Sequence, residues 1–184
     1  MSSDILPNHG VTGLSVSQEE IDLFLDYLVE AKGIVAKVND QGEEIQKKEI
    51  RDATIYYIDE KQTRLYQILN KIAYSANKYF KYDINGIEKA QIIHYKAPSN
   101  GYEYHIDIGP DGTAAHRKIS MSLLLNEEYE GGEICFRSSE KESCTRPKMG
   151  EVVLFSSFLS HKVKPVTTGD RYVVVAWFTG PPFR

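Results

Sequence analysis

Gly101-Tyr102-Glu103-Tyr104-His105-Ile106-Asp107 is the stretch around which the rest of the chain is organised. Its aromatic and isoleucine content suits an extended strand. His105 and Asp107 stand two positions apart, so on a strand both side chains leave the same face. One imidazole nitrogen and one carboxylate oxygen then converge on a single point above the sheet. Downstream, Ser160-His161-Lys162 offers a second imidazole, and ten positions later Gly169-Asp170-Arg171-Tyr172 offers a guanidinium.

Working outward, short β-rich runs separated by turns fill the chain from Ile84 to its end. Gly86 to Tyr95, Tyr102 to Ile108, Ile119 to Leu125, Glu133 to Phe136, Val152 to Phe155, Lys162 to Val166 and Arg171 to Phe178 all read as strands. Before them, Ser17-Gln-Glu-Glu20 is a capping-box pattern that opens a helix with Ile21, Phe24, Leu25 and Leu28 on one face. A second helix is predicted from about Glu60 to Phe80, with Leu65, Ile68, Leu69 and Ile72 aligned. Ile34–Val38 and Ile50–Ile58 have strand composition, and the polar segment Asn39–Lys48 between them reads as a loop. The fold class is mainly β with flanking helices (α+β): a double-stranded β-helix, or jelly roll, backed by the N-terminal helices. The 184 residues suit one domain, with 1–83 supplying support helices and first strands and 84–184 the core that holds the site.

Composition excludes several classes. A net charge of −4 gives no basic footprint for nucleic acid or an anionic membrane, and no apolar run is long enough to span one. With no apolar leader, a cytoplasmic location is expected. Cys135 and Cys144 are placed for a hairpin disulfide, but free thiols in a reducing cytosol are the expectation. The oligomeric expectation is a monomer or homodimer.

Strand parity adds members to the site. Arg171, Val173, Val175 and Trp177 share one face, so an inward Arg171 brings Trp177 with it; Tyr95 points inward if His94 points out. Two His, an Asp, an Arg and a Tyr on an apolar wall form the lining expected for a small anion beside a metal. Two imidazoles and one carboxylate with open positions suit non-haem Fe(II). His-x-Asp alone is a weak signal. The ordered set is stronger: Tyr95, His105-x-Asp107, Gly131-Gly132-Glu133, Pro147-Lys-x-Gly150, His161 and Arg171. It resembles the prolyl 4-hydroxylase-like Fe(II)/2-oxoglutarate-dependent dioxygenases, over roughly the C-terminal half of the chain.

That resemblance implies His105, Asp107 and His161 as iron ligands and catalytic centre. It implies Arg171 as the grip on the distal carboxylate of 2-oxoglutarate, with Tyr95 bonding the same group; Trp177, on the face of Arg171 by strand parity, helps close the pocket. Fe(II), 2-oxoglutarate and O2 are the implied cofactors, with ascorbate as reductant. Collagen-type members have Lys where Arg171 stands, and Leu124 lies near a position where some relatives carry a second pocket tyrosine. The implied reaction is hydroxylation of a prolyl residue in a peptide or protein, with release of succinate and CO2. Alternatives are a free amino acid or another side chain as target, or a non-catalytic jelly-roll metal-binding module. An alkylated base is disfavoured by the acidic charge. Arg51 and Tyr102 are the candidate substrate contacts, and Asn39–Glu49 the candidate lid. His9, His94 and His116 are read as structural or surface residues.

Overall fold

The computed structural model describes residues 5–6, 10–40, 43–138 and 141–183. Helix α1 (Gln18–Glu30) starts at the capping box: Glu20 N–H donates to Ser17 Oγ at 3.2 Å, and Ser17 N–H to Glu20 Oε2 at 3.0 Å. Helix α2 (Thr63–Phe80) begins later than its apolar periodicity suggests, because the Asp59 carboxylate accepts from Lys61 N–H at 2.9 Å and holds a turn there. It ends at Lys81 in the left-handed conformation.

Two antiparallel sheets face one another. The larger runs Ile5–Leu6, Gly10–Ser15, Glu151–Ser156, Arg117–Leu124, Val166–Thr179, Gln91–Lys96, Thr54–Tyr57 and Ile34–Val35. The smaller runs Lys141–Thr145, Ile134–Ser138, His161–Val163, Gly101–His105 and Arg51–Asp52. Side-chain alternation on the long Val166–Thr179 strand divides the molecule. Val174, Ala176 and Phe178 pack outward against Phe24, Leu65, Leu69 and Ile72 of the helices. Arg171, Val173, Val175 and Trp177 point between the sheets and line the cavity there. This is the jelly-roll core, with both helices covering the outer face of its larger sheet. No described helix is long and apolar enough to cross a membrane.

Three expectations need correction. Ile50–Ile58 is not one strand: Arg51–Asp52 belongs to the smaller sheet and Thr54–Tyr57 to the larger, so the chain changes sheets at Ala53. The expected 39–48 loop contains a two-stranded ribbon, Val38–Asp40 with Glu43–Ile45, whose polar sequence gives no buried-face alternation to read. Cys135 and Cys144 are not free thiols. They face each other on the paired strands Ile134–Ser138 and Lys141–Thr145 and form a disulfide.

Candidate active site

The Gly101–His105 strand pairs with His161–Val163 in a register that sets His105 opposite His161. Asp107 lies just beyond the strand end, where its N–H and that of Ile108 donate to Ser157 O at 2.9 and 3.1 Å. His105 Nε2 is then 3.5 Å from Asp107 Oδ1, and His161 Nε2 is 3.6 Å from Asp107 Oδ2. One ligand atom from each residue falls within 4.8 Å of the others.

The outer nitrogens are engaged: His105 Nδ1 with Glu103 O at 2.8 Å, and His161 Nδ1 with Leu159 O at 2.9 Å. A carbonyl only accepts, so each Nδ1 carries the hydrogen and each Nε2 keeps its lone pair for the site. Burial pushes the His161 pKa down and favours the neutral ring. For Asp107, burial opposes ionisation, but the His161 and His105 rings in their protonated form, together with the Ser120 hydroxyl, outweigh it and hold the carboxyl well below the usual range; a bound cation takes the place of those ring protons. Neutral imidazoles and an ionised carboxylate are the forms that bind a metal. The donor set fits Fe(II).

Ser120 Oγ donates to Asp107 Oδ2 at 2.6 Å and lies 3.0 Å from Ser157 Oγ. It holds the carboxylate plane against both rings. Ser120→Ala is expected to lower Fe(II) affinity about ten- to a hundredfold, the usual effect of removing a ligand's orienting partner, as read by metal titration.

A cavity of about 440 Å³ lies over the three ligands. Its lining includes every candidate metal, cosubstrate and substrate contact read from the sequence: His105, Asp107, His161, Arg171, Tyr95, Trp177, Arg51 and Tyr102. Tyr102 stacks on the His105 ring, centroids 3.6 Å apart, and carries the Arg51 guanidinium 4.7 Å from its own centroid. Burial raises the pKa of both Tyr95 and Tyr102, so both hydroxyls keep their protons and can donate.

Arg171 is 1% exposed, with its guanidinium carbon 5.4 Å from the Tyr95 ring centroid and 5.8 Å from that of Tyr129. Its Nε and Nη1 have no hydrogen-bond partner among the described residues, nor do Arg51 Nε, Gln91 Oε1 and Trp177 Nε1. These four side chains line this one cavity; the Tyr129 hydroxyl, also unpaired, does not, though its ring lies beside Arg171. Each unpaired buried polar atom costs about 1–3 kcal/mol, so their clustering marks a space shaped for a polar ligand. A buried guanidinium with free donors fits the terminal carboxylate of a dicarboxylic acid.

Ser120, Tyr129 and Arg117 escaped the sequence reading, as did the role of Gly132, which enters it only as part of the ordered set. Ser120 is a hydroxyl inside an apolar run, which was the available signal. Tyr129 is buried beside Arg171, and Gly132 lies against its stem, where a Cβ would come 2.6 Å from Cδ. Arg117 binds Glu88 in bidentate fashion at 2.7 and 2.6 Å, donates to Asp107 O at 3.0 Å, and covers the Trp177 ring at 3.8 Å. His94 points away from the cavity, paired with Asp170 at 2.6 Å and stacked on Tyr172. His116 Nδ1 meets Gly180 O at 3.1 Å, and His9 lies outside the described residues.

A jelly roll with two imidazoles and a carboxylate at one end of its cavity and a buried arginine within it is an arrangement that suits an iron-dependent oxygenase. Residues 90–179, which contain His105, Asp107, His161 and Arg171, match the sequence model of the 2OG-Fe(II) oxygenase superfamily. A PKHD-type hydroxylase of Prochlorococcus marinus is 35% identical over 80 residues, covering 42% of this chain and 36% of that protein. The match thus spans little more than a third of that relative's length. Among solved structures, a Pseudomonas putida prolyl-4-hydroxylase superposes with a TM-score of 0.71 at 17% identity, covering 95% of this chain and 94% of that one. A Trichoplax adhaerens prolyl hydroxylase, in complex with a hypoxia-inducible-factor peptide fragment, gives 0.71 at 20% identity, covering 94% and 84%. These two likenesses show a shared fold.

Proposed function

We propose that this chain is an Fe(II)- and 2-oxoglutarate-dependent dioxygenase that hydroxylates a prolyl residue in a peptide or protein, releasing succinate and CO2. The observation that carries the reading is the convergence of His105, Asp107 and His161 on a cavity whose buried Arg171 has donors to spare. Iron bound here with 2-oxoglutarate and O2 supplies oxidative decarboxylation of the 2-oxoglutarate and transfer of one oxygen atom to a C–H bond, with ascorbate as the reductant that maintains Fe(II).

The chain's own residues supply positioning and dryness. His105 and His161 present Nε2 because backbone carbonyls hold Nδ1–H, and Asp107 stays ionised between them. Arg171 pairs the distal carboxylate of 2-oxoglutarate in a buried, low-dielectric setting, and the Tyr95 hydroxyl adds a donor at the same end. Trp177, held under Arg117, walls the cavity. Arg51 and Tyr102, beside His105, contact the substrate. The peptide character of the target follows from what the Trichoplax protein's description says of that protein, and the prolyl target from the names of the structural neighbours.

The test is 2-oxoglutarate turnover by the purified protein with Fe(II), followed by a panel of proline-containing peptides scored for the mass of one added oxygen. Succinate formation together with a mass gain confined to proline is the expected result. Absence of succinate formation with Fe(II) supplied returns the site to a non-catalytic metal-binding module. Turnover with free amino acids or other side chains but no prolyl peptide reassigns the target.

A further inference from the structure

The charges around the cavity do not balance. Its two carboxylates are already engaged, Glu88 with Arg117 and Asp107 with the imidazoles. Arg171 sits deep and is assigned to the cosubstrate. Three further cations, Lys37, Arg51 and Lys89, also line the cavity. Among the described residues none of the three has a carboxylate partner: Arg51 meets only the Tyr102 ring at 4.7 Å, and Lys89 lies 5.5 Å over Tyr57. Arg51 is half-buried and its Nε has given up hydration without receiving a hydrogen-bond partner; the Tyr102 ring is the guanidinium's side-chain contact. An acidic protein that gathers unpaired cations at one opening presents a site for an anion.

The same opening carries exposed apolar side chains. Ile34, Val35 and Ile106 are 51%, 50% and 52% exposed, with Tyr57 beside them, and all four line the cavity. Large apolar groups left in water together mark a contact surface. Ile34–Val35 is moreover the terminal strand of the larger sheet: it pairs with Thr54–Tyr57 on one side and has no strand on the other among the described residues. A free strand edge accepts an extended peptide through backbone hydrogen bonds.

We propose that the substrate is an extended, acidic peptide segment, laid along the Ile34–Val35 edge with carboxylate side chains near the target proline paired to Arg51, Lys37 and Lys89. This rests on the hydroxylase reading above and adds to it the charge and conformation of the substrate. Apolar rim and free edge supply sequence-tolerant contact; the cations supply selectivity. Arg51 contributes most, because its pair forms away from bulk water.

The experiment uses the full chain loaded with Mn(II) and 2-oxoglutarate without oxygen, so that peptides bind and do not react. Two fluorescent peptides are compared by anisotropy, each with a central proline, one flanked by Asp and Glu and the other by Asn and Gln. The acidic peptide is expected to bind about tenfold more tightly. In Lys37→Gln/Arg51→Gln/Lys89→Gln that preference is expected to disappear, with thermal unfolding monitored to confirm the fold. Equal binding of both peptides by the unaltered protein overturns the proposal and needs no variant to show it. A preference that survives in the triple variant overturns it as well, as does competition by free proline or glutamate as strong as that of the acidic peptide. Succinate formation under oxygen, measured in parallel with Fe(II), separates the cases. Turnover without acidic preference removes only this inference, whereas no turnover removes the hydroxylase reading beneath it.

Discussion

Asp107→Ala is expected to lose Fe(II) binding and 2-oxoglutarate-dependent succinate formation together, by on the order of a thousandfold or more, since removing only an orienting partner already costs ten- to a hundredfold. Asp107 is the one anionic donor between two neutral ones, and both imidazoles meet it, at 3.5 and 3.6 Å. Without it the two rings bring no charge to offset the ion's, and the Ser120 hydroxyl loses its acceptor. His105→Ala and His161→Ala should equal it in lost turnover but differ from each other in stability. His161 is the more buried and packs its ring 4.5 Å from Phe155, so its removal leaves a hole in the core. His105 is partly solvent-facing, and its main ring contact is Tyr102. His105→Ala is therefore the cleaner probe, with a melting temperature close to that of the parent. Retention of one equivalent of iron and of turnover in either the Asp107 or the His105 variant would remove these residues from the metal site.

How much of this was legible in the sequence depends on how local each feature is. His105-x-Asp107 is legible as a spacing, although the strand stops at His105 and Asp107 is set by its N–H on Ser157 O; the two-residue repeat of a strand does place Arg171 and Trp177 on one inward face. The capping box at Ser17 and the apolar stripes of both helices are likewise local patterns, and the helices lie close to where those patterns put them, the second opening at Thr63 rather than about Glu60. Features set by register between distant strands were not readable. The disulfide exists because Cys135 faces Cys144 across a pair of strands, a relation that composition and compartment arguments do not contain. The change of sheet at Ala53 is invisible in a run of uniformly strand-forming residues, yet it carries Arg51 over Tyr102. Ser120, Tyr129 and Gly132 act on side chains far away in sequence, so their roles come from packing alone.

Gly132 gives the second large expected effect, through a residue that bears no functional group. Its φ of +68° is a conformation L side chains rarely adopt, and a Cβ there would stand 2.6 Å from Arg171 Cδ, 3.1 Å from its Nε and 3.1 Å from Val166 Cγ2. In Gly132→Ala the arginine stem must give way, and at 1% exposure it has little space to move into. The expected result is a 2-oxoglutarate KM raised about ten- to a hundredfold, with kcat at saturation far less affected, since a misplaced guanidinium weakens a bidentate pair that orients the cosubstrate. Fe(II) affinity should stay near that of the parent, because no ligand touches this glycine. Backbone strain of about 1–3 kcal/mol accompanies any such substitution, so a control with strain alone is required. Gly112→Ala provides it: φ is +60° there, and nothing lies within 4 Å of the added Cβ. That control should lose stability and keep the parent KM. Were Gly132→Ala also to keep the parent KM, Arg171 would not be the carboxylate anchor, and the cosubstrate would have to be placed elsewhere in the cavity.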